Sequence, residues 1–304
     1  MSRPFFLLIS LLTATLPPET VFGKLIRIDR SQNLGPELGT ALVIEPAHQR
    51  PKAVLICLHG IQSNREWWLP MGKELAEKGY AVWAFNRPGS GDPVPPGPAD
   101  VATTTWDEQM LAVRRQAELT HKGVPAFAVG VSWGASPATV AVERVPDAWA
   151  GAILLNPAFA TTKDGKFKQA VLGKILLPWR WFAPIKLPLE QSDYTDSAQT
   201  KAERLQPAML KQTATLRFML KTNKVKKNAV ASLDNPKRPV LLLLGSSDHL
   251  VAPKDFAQRL RGRLTNSAIT HDTIPAATHA AIVEHEHRAF AQRILIWLPT
   301  AIRR

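Results

Sequence analysis

Pro125-Ala126-Phe127-Ala128-Val129-Gly130-Val131-Ser132-Trp133-Gly134 sets an apolar run directly before a Gly-x-Ser-x-Gly pentapeptide. A short apolar run of this kind reads as a buried strand. The pattern after it matches a strand-to-helix elbow, in which glycines two positions either side of a serine let strand and helix close around a strained turn. Such a turn lifts a hydroxyl out of the chain. Alone, the pentapeptide reads equally well as a flexible turn, so the remainder of the chain must decide.

A serine hydroxyl is too weakly acidic to attack a carbonyl unaided; it needs a base, and the base needs an orienting carboxylate. Both types occur downstream. The run Pro239 to Leu244 reads as a buried strand and ends in Gly245-Ser246-Ser247-Asp248, and Ala268 to Ile274 alternates like another strand before Ala276-Ala277-Thr278-His279. The resulting order, Ser132, Asp248, His279, is the one expected of a single fold, and each residue falls just past a strand. The other place for an acid, after the strand Gly151 to Leu155, holds Asn156. An asparagine cannot carry a negative charge opposite an imidazolium, so Asp248 is preferred. His249 precedes the last strand and fits the base poorly.

Upstream, Ala53 to Leu58 forms an apolar strand ending in His59-Gly60-Ile61-Gln62-Ser63. A glycine there lets the backbone approach the elbow, so that the amides of Ile61 and Trp133 converge on a developing oxyanion. With these four pieces the chain resembles an α/β-hydrolase. More narrowly, it is similar to the monoacylglycerol lipase, lysophospholipase and serine aminopeptidase S33 group, on His59-Gly60 followed by Glu74 to Gly79, Tyr80 and the strand Ala81 to Phe85, then Asn86-Arg87-Pro88-Gly89-Ser90-Gly91. The group usually has an acidic residue where Asn86 stands, and Pro88 interrupts its Arg-Gly-x-Gly. The resemblance covers Lys24 to the C-terminus and is thin over 160–238.

Strands near 23–30, 40–45, 53–58, 81–86, 125–130, 151–155, 239–244 and 268–274 alternate with helical stretches near 66–78, 103–121, 134–144, 254–263 and 280–297. The predicted fold is a mainly parallel eight-stranded sheet with helices on both faces and its site at the carboxyl ends of the strands. The 304 residues, 45% hydrophobic, suffice for one large core. The single cysteine, Cys57, falls in a strand and excludes a disulfide framework.

Too many residues separate Leu155 from Pro239 for a simple crossover. The resemblance implies a cap over the serine here, residues 160–238. From Lys163 to Arg238 there are 16 Lys and Arg against 6 Asp and Glu, a net of +10 in a chain of +13. That charge suits an anionic membrane surface or an anionic substrate; without a nucleic-acid-binding signature it does not indicate nucleic acid. No cofactor is expected. Glu284-His285-Glu286-His287 lacks the i, i+4 histidine pair of a zinc helix, so no metal is expected either. Residues 1–23, with Arg3 before an apolar stretch, read as a signal peptide or apolar anchor segment. The expected location is therefore secreted, periplasmic or membrane-anchored, with an N-terminal helix packed on a cytoplasmic protein as the alternative.

The resemblance implies a serine hydrolase that cleaves carboxylic esters of lipid-like type, monoacylglycerol or lysophospholipid. Aminopeptidase-type amide hydrolysis and a non-catalytic lipid carrier on the same scaffold are the alternatives.

Overall fold

The computed structural model describes residues 26–90, 98–100, 104–172, 184–205 and 212–303. The segment 1–23 and residues 173–183 and 206–211 of the region expected to form a cap lie outside them. Eight strands form one sheet: β1 (Ile26–Gly35), β2 (Gly39–Pro46), β3 (Val54–Leu58), β4 (Ala81–Phe85), β5 (Ala126–Val131), β6 (Gly151–Leu155), and further along β9 (Val240–Gly245) and β10 (Ile269–Ile274). Their order is β1-β2-β4-β3-β5-β6-β9-β10. The β1-β2 and β2-β4 pairs are antiparallel, and all others are parallel. Every residue of β3 to β6 and of β9 is buried, as expected for parallel strands covered on both faces.

Helices α1 (Leu69–Glu77), α2 (Trp106–Thr120) and α3 (Ala135–Arg144) connect the first half. From β3 the chain steps outward to β4, then returns to place β5 on the other side of β3. Strand order reverses between β3 and β5, and the crevice at their carboxyl ends is where such sheets bind ligands.

Between β6 and β9 lie α4 (Asp164–Leu172), the ribbon β7 (Pro184–Lys186) with β8 (Thr213–Thr215), α5 (Gln191–Tyr194), α6 (Ala198–Glu203) and α7 (Leu216–Ser232). The chain closes with α8 (Pro253–Arg259), β10 and α9 (His287–Ile302). Cys57 is a buried core thiol of β3, and burial pushes its pKa up.

Two helix boundaries differ from the periodicity. The first helix is preceded by a 3-10 turn, Arg65–Trp68, capped by the Asn64 side chain, and α1 begins only at Leu69, with Pro70 in its first turn. The last helix, expected from about 280, begins at His287 after a 3-10 turn at Ala281–Val283. Glu284 therefore ends a turn while His287 starts a helix.

Candidate active site

The elbow exists because two glycines remove side chains that would collide with backbone. A Cβ on Gly130 would lie 2.2 Å from the Gly134 carbonyl oxygen, and one on Gly134 would lie 2.5 Å from the Leu58 oxygen and 2.6 Å from that of His59. No neighbouring side chain can rotate away to relieve such contacts. Between them Ser132 takes φ 55°, a left-handed conformation that non-glycine residues rarely adopt. Strain of this kind persists only where the surroundings over-determine it, here by strand β5 before and helix α3 after.

Ser132, Asp248 and His279, 147 and 31 residues apart in the pairs that touch, meet at the carboxyl edge of the sheet. The Ser132 hydroxyl lies 2.8 Å from His279 Nε2, and His279 Nδ1 lies 2.7 Å from Asp248 Oδ2. Asp248 is itself held, its Oδ1 accepting the Leu250 and Val251 amides at 2.9 and 2.7 Å. Only one assignment of the imidazole proton satisfies both contacts: Nδ1 donates to the carboxylate, leaving Nε2 to accept from the serine. The edge of the Tyr194 ring meets the His279 ring at 5.7 Å, and the Tyr194 hydroxyl donates to Gln62 at 2.8 Å.

A position for Cβ on Gly60 would be 3.4 Å from Ser132 Cβ, so the loop after β3 passes directly beside Ser132. Ile61 and Trp133 line the same cavity as Ser132. Trp133 sits where the elbow enters α3, where first-turn amides have no intrahelical acceptor and the helix dipole favours negative charge.

His59, beside this loop, is structural. Its Nδ1 donates to the Gly60 carbonyl, its Nε2 accepts the Arg87 amide at 3.3 Å, and burial, reinforced by the Arg87 charge, pulls its pKa down to about 3. His249 pairs with Asp196 on the surface. Among the described residues no group of acidic, histidine and cysteine side chains could hold a metal.

Two residues whose part in the site the sequence did not disclose stand out. Asn156, wholly buried at the end of β6 with φ 43°, accepts the Gly245 amide at 2.8 Å and donates to the carbonyls of Thr278 (2.9 Å) and His279 (3.3 Å). Its side chain thus ties the strand that leads to Asp248 to the loop that carries His279. Arg87, 1% exposed, donates to the Ile61 carbonyl at 2.6 Å and to Gln212 at 3.1 Å, while its guanidinium lies over the rings of Trp133 and Phe218. Asn86, in the place of the usual acid, accepts the Arg65 amide at 2.7 Å.

The cavity measures about 450 Å³ and is walled by Phe167, Leu189, Met219 and Leu250. A second cavity of about 480 Å³, bounded by Arg114, Trp149 and Arg238, lies at the opposite edge of the sheet, where the strands begin.

The family model described as serine aminopeptidase, S33 matches residues 49–286. The chain belongs to the serine aminopeptidase S33 family. Its fold is shared with solved structures of low sequence identity. The monoacylglycerol lipase of Paleococcus ferrophilus aligns with a TM-score of 0.66 at 20% identity, over 83% of this chain and 96% of that one. A soluble variant of monoglyceride lipase from Saccharomyces cerevisiae, solved with a substrate analogue, gives 0.66 at 14% identity over 98% and 99%. Est1E of Butyrivibrio proteoclasticus, with ferulic acid bound, gives 0.59 at 16% identity over 92% and 97%. No curated protein matches the sequence. The protein is accordingly a hydrolase of the α/β-hydrolase fold.

Proposed function

We propose that this hydrolase cleaves carboxylic esters through a covalent acyl-serine intermediate, with Ser132 as nucleophile, His279 as general base and acid, and Asp248 as the group that orients His279. The unbroken contact series from Ser132 Oγ through both nitrogens of His279 to Asp248 carries this reading. Attack of Oγ on the ester carbonyl passes the hydroxyl proton to Nε2, and collapse of the tetrahedral intermediate returns it to the departing alcohol. Water then releases the acid by the same proton route. The amides of Ile61 and Trp133 receive the oxyanion, an interaction worth roughly 3 to 4 kcal/mol of barrier per donor in serine hydrolases.

A lipid-like acyl group, of monoacylglycerol or lysophospholipid type, suits the apolar walls of the cavity. The family description raises aminopeptidase activity as the second reading. Among the described residues, four cations against one acid on the cavity lining disfavour a substrate with a free ammonium group. A non-catalytic carrier would have no use for an aligned proton relay. We also propose that residues 1–23 direct export or anchoring, and that the basic segment 163–238 draws the protein toward anionic membrane surfaces. Fractionation of the native cells tests the former.

The decisive experiment compares the native protein with Ser132→Ala. The variant should lose p-nitrophenyl ester hydrolysis and labelling by a fluorophosphonate probe while unfolding at an unchanged temperature; retained turnover would overturn the assignment.

A further inference from the structure

We propose that the cavity beside Ser132 selects esters bearing an anionic group, phosphate or carboxylate, at the end away from the scissile carbonyl; the inference deepens the ester-hydrolase reading and rests on it. The lining is chemically graded. Trp133, next to Ser132, donates to Thr222 of α7, Met219 and Leu250 add apolar surface, and the cations are Lys226 and Lys227, about one turn further along α7, with Lys168 and Arg259. These come from α4, α7 and α8, elements distant in sequence, so their convergence is a property of the fold and not of one basic run.

Their charge is unbalanced. Among the described residues Asp164 is the one acid on the lining, and it is occupied by Lys226 at 3.2 and 3.3 Å. Lys168, Lys227 and Arg259 have no acidic partner among the described residues. Each is exposed and, singly, would gain little from an anion in water. Around a cleft with low-dielectric walls their fields add, raising the local concentration of an anionic substrate and favouring its bound state. Phosphate and carboxylate accept hydrogen bonds from both ammonium and guanidinium groups. Leu172 and Leu220, 69% and 39% exposed, also line this cavity and offer apolar contact to the carbon chain between the two ends of such a molecule. A neutral ester would use the wall and leave the cations to water.

The test uses two soluble substrates that differ only in the anion, monobutyryl glycerol and monobutyryl glycerol 3-phosphate, each assayed with the full protein for kcat/KM. At low ionic strength the phosphate ester should be preferred by about tenfold, the sum of a few exposed charge contacts. In 0.5 M NaCl, where the Debye length is only a few ångströms, the preference should shrink several-fold. In the triple variant Lys168→Gln, Lys227→Gln, Arg259→Gln the ratio should fall toward one. A ratio of one or less in the native protein, or one that salt and the variant leave unchanged, overturns the proposal; the salt series needs no variant and survives its misfolding. Vesicles of phosphatidylglycerol and phosphatidylcholine carrying a neutral long-chain monoester separate the remaining source of anion. Faster hydrolysis on the anionic vesicles with no preference between the soluble pair would assign the cations to a membrane surface and refute substrate selection. If neither soluble ester is hydrolysed and Ser132→Ala behaves as the native protein, the ester-hydrolase reading itself has failed.

Discussion

Replacing Asn156 offers the sharpest examination of how the site is assembled. Its amide fills three roles at once, accepting from Gly245 and donating to the carbonyls of Thr278 and His279. Asn156→Ala leaves a buried N–H and two carbonyls to find new partners. The 3.3 Å contact is the weakest, and each carbonyl keeps a second lone pair, so about two full losses of 1 to 2 kcal/mol are expected. Alanine at φ 43° adds roughly 1 kcal/mol more, which Asn156→Gly avoids. The expected destabilisation is therefore about 3 to 5 kcal/mol for alanine and about 1 less for glycine. Because Asn156 does not line the cavity, displacement of the His279 loop should appear in kcat, by on the order of 100-fold, with KM changing far less. Asn156→Asp separates positioning from bulk. It preserves size and the acceptor for Gly245, but turns the two donated bonds into oxygen facing oxygen. Burial and those carbonyls would raise the pKa of the introduced acid, and the protonated carboxyl can donate again. A raised carboxyl pKa makes the folded state the better proton binder, so this variant gains stability relative to the native protein as pH falls and loses it as pH rises. Urea midpoints at pH 5 and pH 8, together with ester kinetics, measure both effects. A kcat within threefold of native for the alanine variant, with an unmoved urea midpoint, would show that the bridge does not hold the site together.

Three further outcomes are expected. Gly134→Ala forces a Cβ to within 2.6 Å of two carbonyl oxygens of β3 and its following loop, so stability should drop by about 3 kcal/mol and ester turnover should be lost, read by denaturant titration and initial rates. His59 is held neutral with a pKa near 3 against 6.5 unfolded; protons bind the unfolded state preferentially between those values, so its contribution is lost as pH falls below 6.5, approaching about 1.4 kcal/mol per pH unit. Replacement by Gln should flatten the pH dependence of the urea midpoint over that window. Arg87→Lys keeps a charge but loses the Nη1 bond to the Pro88 carbonyl and the flat guanidinium over Trp133 and Phe218 that aims Nη2 at Ile61 and Gln212, so kcat should fall between about 10- and 100-fold through the displaced Ile61 peptide, with fluorophosphonate labelling slowed in parallel.

The eight strands and the meeting of Ser132, Asp248 and His279 were legible because Ser132 and Asp248 come shortly after apolar runs and His279 after an alternating strand, and a parallel sheet brings the ends of its strands to one edge. The elbow was legible because glycine spacing carries a steric meaning. Asn156 was not, since its partners come from the end of β9 and the loop after β10, 89 and 122 residues downstream, which become neighbours only once β6, β9 and β10 lie side by side. Asparagine after a strand otherwise signifies only a turn and, at this position, the absence of an acid. Arg87 was obscured by its charge, which suggests solvent, whereas aromatic rings and carbonyl groups compensate its burial. The polar second half of β1 escaped periodicity because it belongs to a hairpin edge with irregular register from Asp29 to Gly35. The delayed start of α9 reflects the non-helical course of the chain beyond His279, where Thr278 and Thr195 both donate to Glu284.

Helix α7 has a double employment. It supplies Met219, Thr222 and Lys226 to the cavity, yet it is also the segment that carries the chain back from the exit of β6 to the entry of β9, roughly 25 Å along the sheet. Trp133 stacks on its Phe218 and donates to its Thr222. That side of the chamber is masonry, fixed by the same crossover that keeps two core strands adjacent. A directed library should accordingly randomise the chamber-facing positions of α7 to alter selectivity while keeping the length of that helix unchanged.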